Sequence, residues 1–164
     1  MKIIALQGVG GIGKTTTLKK LFVEIANNFK SEIDHYFLLY PKKADKESIE
    51  KEIVEERNLR LSNAARKVVK NIIVVIIFKD KRRVAIITEG DDDRDLSYAM
   101  PILVALNCNL CFCACRTDGS SVEFLNKLKN GGNSVEYVSK AIERSTDKMD
   151  AVNDSQVKDL LKLL

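Results

Sequence analysis

The sequence holds a single histidine, His35, and none of its cysteines or serines has an evident basic partner, which argues against a histidine-based catalytic triad. No apolar run approaches the roughly 20 residues that a membrane-spanning helix needs. Met1 to Leu6 lead straight into a glycine loop, so no secretory leader is expected and the cytoplasm is the expected compartment, where cysteines stay reduced. Repeats, low-complexity tracts and linker-like stretches are also missing, which predicts one domain over residues 1–164. The net charge of +4 is mild, and basic residues are interleaved with acids. A dense one-sided basic patch is lacking, so the balance suits a small anionic ligand and argues against nucleic acid or a membrane as partner.

What is present is an ordinary globular composition, 45% hydrophobic and 30% charged. A chain of 164 residues buries roughly two-thirds of its unfolded surface and needs no staples. Residues 2–6 form a short apolar run that predicts a buried strand, and Leu18, Leu21, Phe22, Ile25 and Phe29 predict a helix over 14–29. Further strands are expected at 36–40, 71–78, 84–88, 110–115 and 135–138. Further helices are expected within 42–70, at 92–106 with Pro101 as a kink, from Ser120 or Ser121 to Leu128, and from Asp154 or Ser155 to Leu164. The link between 78 and 84 is too short for a crossover helix, so those two strands should form an antiparallel hairpin. The pattern predicts a three-layer α/β fold with a mainly parallel sheet and one antiparallel strand.

Gly8-Val9-Gly10-Gly11-Ile12-Gly13-Lys14-Thr15 satisfies G-x-x-x-x-G-K-[ST] between the first strand and the first helix. Four fixed positions would match by chance in fewer than about one chain in a hundred. Phosphate oxygens need several converging donors, and backbone amides serve only where no side chain blocks them. The helix that follows adds its unpaired amides and the positive end of its dipole. Lys14 would bring a full charge to the β- and γ-phosphates, and the Thr15 hydroxyl suits a magnesium ion. Gly8, Val9, Gly10, Gly11, Ile12, Gly13, Lys14, Thr15 and Thr16 are thus the candidate nucleotide-binding residues, with Lys14 expected to face solvent.

Over residues 3–29 the chain resembles the P-loop NTPase superfamily, which implies a nucleoside triphosphate, ATP with magnesium, as ligand. The form Gly10-Gly11-Ile12-Gly13-Lys14-Thr15-Thr16 also looks like the loops of partition and septum-site ATPases and of nucleotide switches in defence receptors. The first group carries a lysine where Val9 stands, and the second needs helical domains too large for this length, so neither subfamily is assigned.

The resemblance implies an acid at the end of a neighbouring strand for the metal. Glu89 and Asp91 follow the strand at 84–88 and are the candidates beside Thr15, although with Asp92, Asp93 and Asp95 they also read as a solvated helix start. Gly90 between them would let backbone approach a ligand closely. Asp80 lies in the hairpin turn, at the wrong end of the sheet. Glu89-Gly90 also resembles the first acid of a Toprim site, whose later Asp-x-Asp is reduced here to Arg116-Thr117-Asp118. Arg116 leaves the strand at 110–115 toward the same edge and is a candidate for the γ-phosphate or for a surface ion pair. Lys81, Arg82 and Arg83 read as a charged hairpin tip. Cys111, Cys113 and Cys115 share one face of their strand and, with Cys108, read as small buried hydrophobes instead of metal ligands.

No glycine has an aspartate three residues before it, and the nearest base-reading match, Asp147-Lys148-Met149-Asp150, is wrong at its first position, so GTP selectivity is not indicated. An ABC-type signature loop is absent as well. Two functions stay open. One is an ATPase or phosphotransferase passing the γ-phosphate to water or a small acceptor, like the nucleoside and nucleotide kinases, with Lys14, Asp91 and Arg116 as its catalytic groups. The other is a nucleotide-dependent switch acting through a protein partner.

Overall fold

The computed structural model describes residues 1–39, 73–143 and 145–164. Along the chain these are β1 (Lys2–Gln7), α1 (Lys14–Asn28), β2 (Ile33–Leu39), β3 (Ile73–Phe78), β4 (Arg83–Ile87), α2 (Asp93–Ala105), β5 (Leu110–Cys115), α3 (Ser120–Asn130), β6 (Ser134–Ser139) and α4 (Thr146–Leu161). The helices expected within 42–70 lie outside the described residues. The six strands form one sheet in the order β2-β3-β4-β5-β1-β6. β3 runs antiparallel to both its neighbours, and the other pairings are parallel. The hairpin expected between β3 and β4 is present, and β3 is the one strand of opposite direction.

Side-chain alternation divides the core into two. Ile4, Leu6, Ile76, Ile86 and Phe112 point to the face covered by α1 and α4, where they meet Leu18, Leu21, Phe22, Val157 and Leu160. Ile3, Ala5, Val75, Ala85 and Cys113 point to the opposite face and meet Leu96, Met100 and Leu103 of α2 and Leu125 of α3. Helices on both faces of a mostly parallel sheet make three layers. β3 and β5 are buried at every residue, as strands covered on both sides must be.

The four cysteines are free and buried on the α2–α3 side. Burial pushes the Cys108 thiol up to about 11 and that of Cys115 to about 12. The Cys111 thiol is held well above its usual value by a hydrogen bond with Cys113, and then by burial. All three stay protonated and inert near neutrality. All four cysteines sit in the apolar cluster beneath α2 and α3, so the cysteine strand acts as packing.

Two boundaries differ from expectation for physical reasons. β2 starts at Ile33, three residues early, across an irregularity between Ile33 and His35 that breaks the alternation. Pro101 sits inside α2, as expected. α4 starts at Thr146, eight residues before the expected Asp154, because its inward face begins with polar Asn153 and Gln156 and only then turns apolar at Val157 and Leu160. No helix among the described residues is long and apolar enough to cross a membrane.

Gly90 answers to packing. A β-carbon there would run into the carbonyl oxygen of Ala114 on β5 and lie 3.3 Å from Leu96 Cδ2. β4 and β5 close up at this point, which corrects the expectation that Gly90 serves a ligand. Gly90→Ala is therefore expected to cost about 1–3 kcal/mol of stability through overpacking, read as a lower midpoint in chemical denaturation. An unchanged midpoint would show that the β4–β5 contact is not tight.

Candidate functional site

β1 ends in the interior of the sheet, flanked by β5 and β6, and its chain continues as the glycine loop 8–13 into α1. Gly13 caps the helix with φ 83°, in the left-handed region where glycine is favoured, and supplies no side-chain cap. The first turn of α1 contains no acid to offset the positive helix end. Among the described residues no backbone hydrogen bond draws on the N–H groups of Lys14, Thr15 or Thr16. Their amides open on the loop, as the first amides of a helix do. Thr15 is half-buried and Thr16 exposed on this turn, while Val9 and Gly10 are exposed along the loop and Ile12 is half-buried.

Lys14 does not face solvent as expected. Its side chain is only 5% exposed and folds back over the loop. Nζ donates to Gly8 O and to Val9 O, both at 2.8 Å, and meets Asp91 Oδ1 at 3.0 Å. An ammonium has three hydrogens, and here it has three oxygen partners. The two carbonyls belong to the loop and move only with it. Asp91 is 46% exposed and is the partner an incoming anion can displace.

The second carboxylate oxygen of Asp91 lies 3.3 Å from Arg116 Nη2. Arg116 leaves the end of β5 and lies over the loop, its Nη1 2.9 Å from where a Gly10 β-carbon would be. Asp91 therefore bridges two cations contributed by α1 and the β5 end. β5 separates β1 from β4, so Asp91 comes from the strand one beyond the immediate neighbour of β1. Glu89 is half-buried at the same edge. Asp92 belongs to the helix start instead, its side chain accepting from the N–H groups of Arg94 and Asp95 as the cap of α2. The Arg94 hydrogen bond holds its carboxyl below the usual range. Asp80 sits in the β3–β4 turn at the opposite edge, paired with Arg82 at 2.6 Å.

The donor set fits a phosphate-borne magnesium ion, which keeps several waters and takes one or two carboxylates beside phosphate oxygens. Thr15 and Asp91, with Glu89 at the same edge, are the side chains that could hold such an ion.

Sequence reasoning missed three residues here. Thr17, on the second turn of α1, sets its hydroxyl 3.0 Å from Gly13 O and 3.0 Å from Asn153 Oδ1. Asn153 comes from α4 and is buried. Lys140 follows β6, donates its backbone N–H to Gln7 O at 2.7 Å and packs its Cβ beside Gly8. Burial pushes its ammonium below the usual lysine value, and Nζ donates to Ala141 O at 3.0 Å. The available signal was the spacing of Asn153, Gln156, Val157 and Leu160, one helical face that begins polar.

Neutralising Asp91 removes the resident anion from Lys14 and Arg116. Asp91→Asn is expected to strengthen binding of metal-free pyrophosphate by up to about fivefold, the worth of a partly exposed ion pair. Calorimetry in the presence of a chelator reads the change, and weaker binding would contradict it. No protein-family model, no curated protein and no solved structure matches this chain, so its chemistry is read from the loop, the lysine and the acid above them.

Proposed function

We propose that this chain is a P-loop protein that binds ATP with magnesium and either hydrolyses it or transfers its γ-phosphate to a small acceptor, in the manner of nucleoside and nucleotide kinases. One observation carries the reading: Lys14 and Arg116, from two separate elements, converge on a single carboxylate beside helix amides that have no backbone partner among the described residues. Charge on that carboxylate stands where phosphate oxygens would be neutralised.

In this reading the amides of Gly13 to Thr16 and the Lys14 ammonium hold the β- and γ-phosphates. Arg116 adds a second cation where negative charge grows during transfer, the kind of stabilisation worth most in a desolvated site. Magnesium, when bound, neutralises charge on the phosphate oxygens, and Thr15 with Asp91 or Glu89 would hold it. Absence of the two GTPase motifs favours adenine over guanine. A cytoplasmic location belongs to the same proposal.

A nucleotide-dependent switch working through a protein partner is the second reading. It is favoured by the buried contact that ties the loop-bearing helix to α4 through Thr17 and Asn153. An acceptor panel separates the two. A kinase consumes ATP much faster once the right nucleoside, nucleotide or sugar is present, whereas a switch changes partner affinity or assembly between ATP and ADP whatever small molecule is added.

Lys14→Ala is expected to abolish ATP affinity while costing about 1–3 kcal/mol of stability, because the carbonyls of Gly8 and Val9 lose their donor. Titration and thermal unfolding read the two effects, and ATP binding like that of the unaltered protein rejects the site. Asp91→Asn and Glu89→Gln are expected to separate. One should raise the magnesium concentration needed for half-maximal ATP turnover, and the other should leave it nearly unchanged. If neither variant moves it, the metal assignment is wrong.

A further inference from the structure

We infer that Asn153 is a positioning residue for the phosphate loop, acting from α4 through Thr17 on the peptide between Gly13 and Lys14; this rests on the nucleotide-binding reading of the loop. Asn153 is 1% exposed, in a layer that Leu18, Leu21, Phe22, Val157 and Leu160 share with buried Thr17 and Gln156. A buried amide costs free energy unless its hydrogen bonds are made. Packing alone would be served by an apolar side chain.

Thr17 Oγ1 lies 3.0 Å from both Gly13 O and Asn153 Oδ1, yet a hydroxyl has one hydrogen to give. Both contacts are satisfied when the Asn153 amide is turned over so that its nitrogen faces Thr17, since the two ends of an amide have the same shape. The result is a relay. The Asn153 amide N–H donates to Thr17 Oγ1, and the Thr17 O–H donates to Gly13 O.

Gly13 O also accepts from the Thr17 backbone N–H at 2.9 Å, so two donors from one residue pin it. A trans peptide is a rigid plane in which C=O and N–H point opposite ways. Fixing Gly13 O therefore fixes the direction of the Lys14 N–H, the first of the helix amides with no backbone partner among the described residues. The Asn153 side chain also fills the space beside Gly13, its amide end 3.2 Å from where a β-carbon would be. Loop conformation and amide direction are thus set from α4, more than 130 residues away in sequence.

The test uses the full chain with Thr17→Val, Thr17→Ser, Asn153→Ala and the double variant Thr17→Val/Asn153→Ala. Thr17→Val and Asn153→Ala are each expected to weaken magnesium–ATP binding on the order of tenfold to a hundredfold, the range for a misaimed positioning contact. Thr17→Ser keeps the hydroxyl and should bind like the unaltered protein. The double variant should be no weaker than the worse single one, because both changes break one relay. Equal affinity in all variants, or additive losses in the double, overturns the inference. If the unaltered chain takes up no nucleotide, the nucleotide-binding reading fails by itself, and the amide resonances of Gly13 and Lys14 in the free protein decide. Both resonances should shift the same way in Thr17→Val and Asn153→Ala, and resonances left in place would refute the relay.

Discussion

The ammonium of Lys14 is buried, and a buried charge must find its partners nearby. Two of its three hydrogens go to carbonyls of the loop that precedes it, which curls the chain back on itself between β1 and α1. The third goes to Asp91, which draws the end of β4 toward a loop carried by a strand it does not pair with. Arg116 joins from the strand between them. Loop shape, acid placement and the position of the second cation all follow from satisfying one nitrogen.

That arrangement makes the two functional readings physically close. A phosphotransferase and a switch both need the carboxylate to leave the lysine when a polyanion arrives, and they differ in what the departure does next. In the first case the freed carboxylate serves the reaction. In the second the disturbance travels along α1 into α4 through Thr17, Asn153 and the ion pairs of Lys20 with Asp150 and Asp154. The Lys20 ammonium is held above its ordinary value chiefly by its hydrogen bond to Asp154.

The parts readable from sequence were those where chemistry and pattern coincide. The glycine loop announced itself by residue type, and the strands by apolar runs such as Ile73 to Phe78 and Leu110 to Cys115. The short link after Phe78 fixed the direction of β4, and with it the edge on which Glu89 and Asp91 emerge. What stayed hidden depends on contacts distant in the chain. Nothing local to Gly90 tells that a carbonyl of β5 fills the space beside it. Lysine in a glycine loop looks solvated until Asp91 is brought to it, and the first half of α4 looks unstructured until its polar inward face is matched by Thr17 and the ends of β6. Gln156 shows the same logic, donating to Ser139 O and accepting from the Ala141 N–H.

The interposition of β5 has a mechanical side. Two strand spacings, roughly 9–10 Å, separate the backbones of β1 and β4, and the gap at the sheet edge is spanned by flexible side chains. Asp91 can therefore let go of one or both cations by turning about its own side-chain bonds while β4 stays still. Such rotations at a half-open position take picoseconds to nanoseconds. The rigid scaffold acts as a caliper, holding the jaws at a set width, and only the tips have to move.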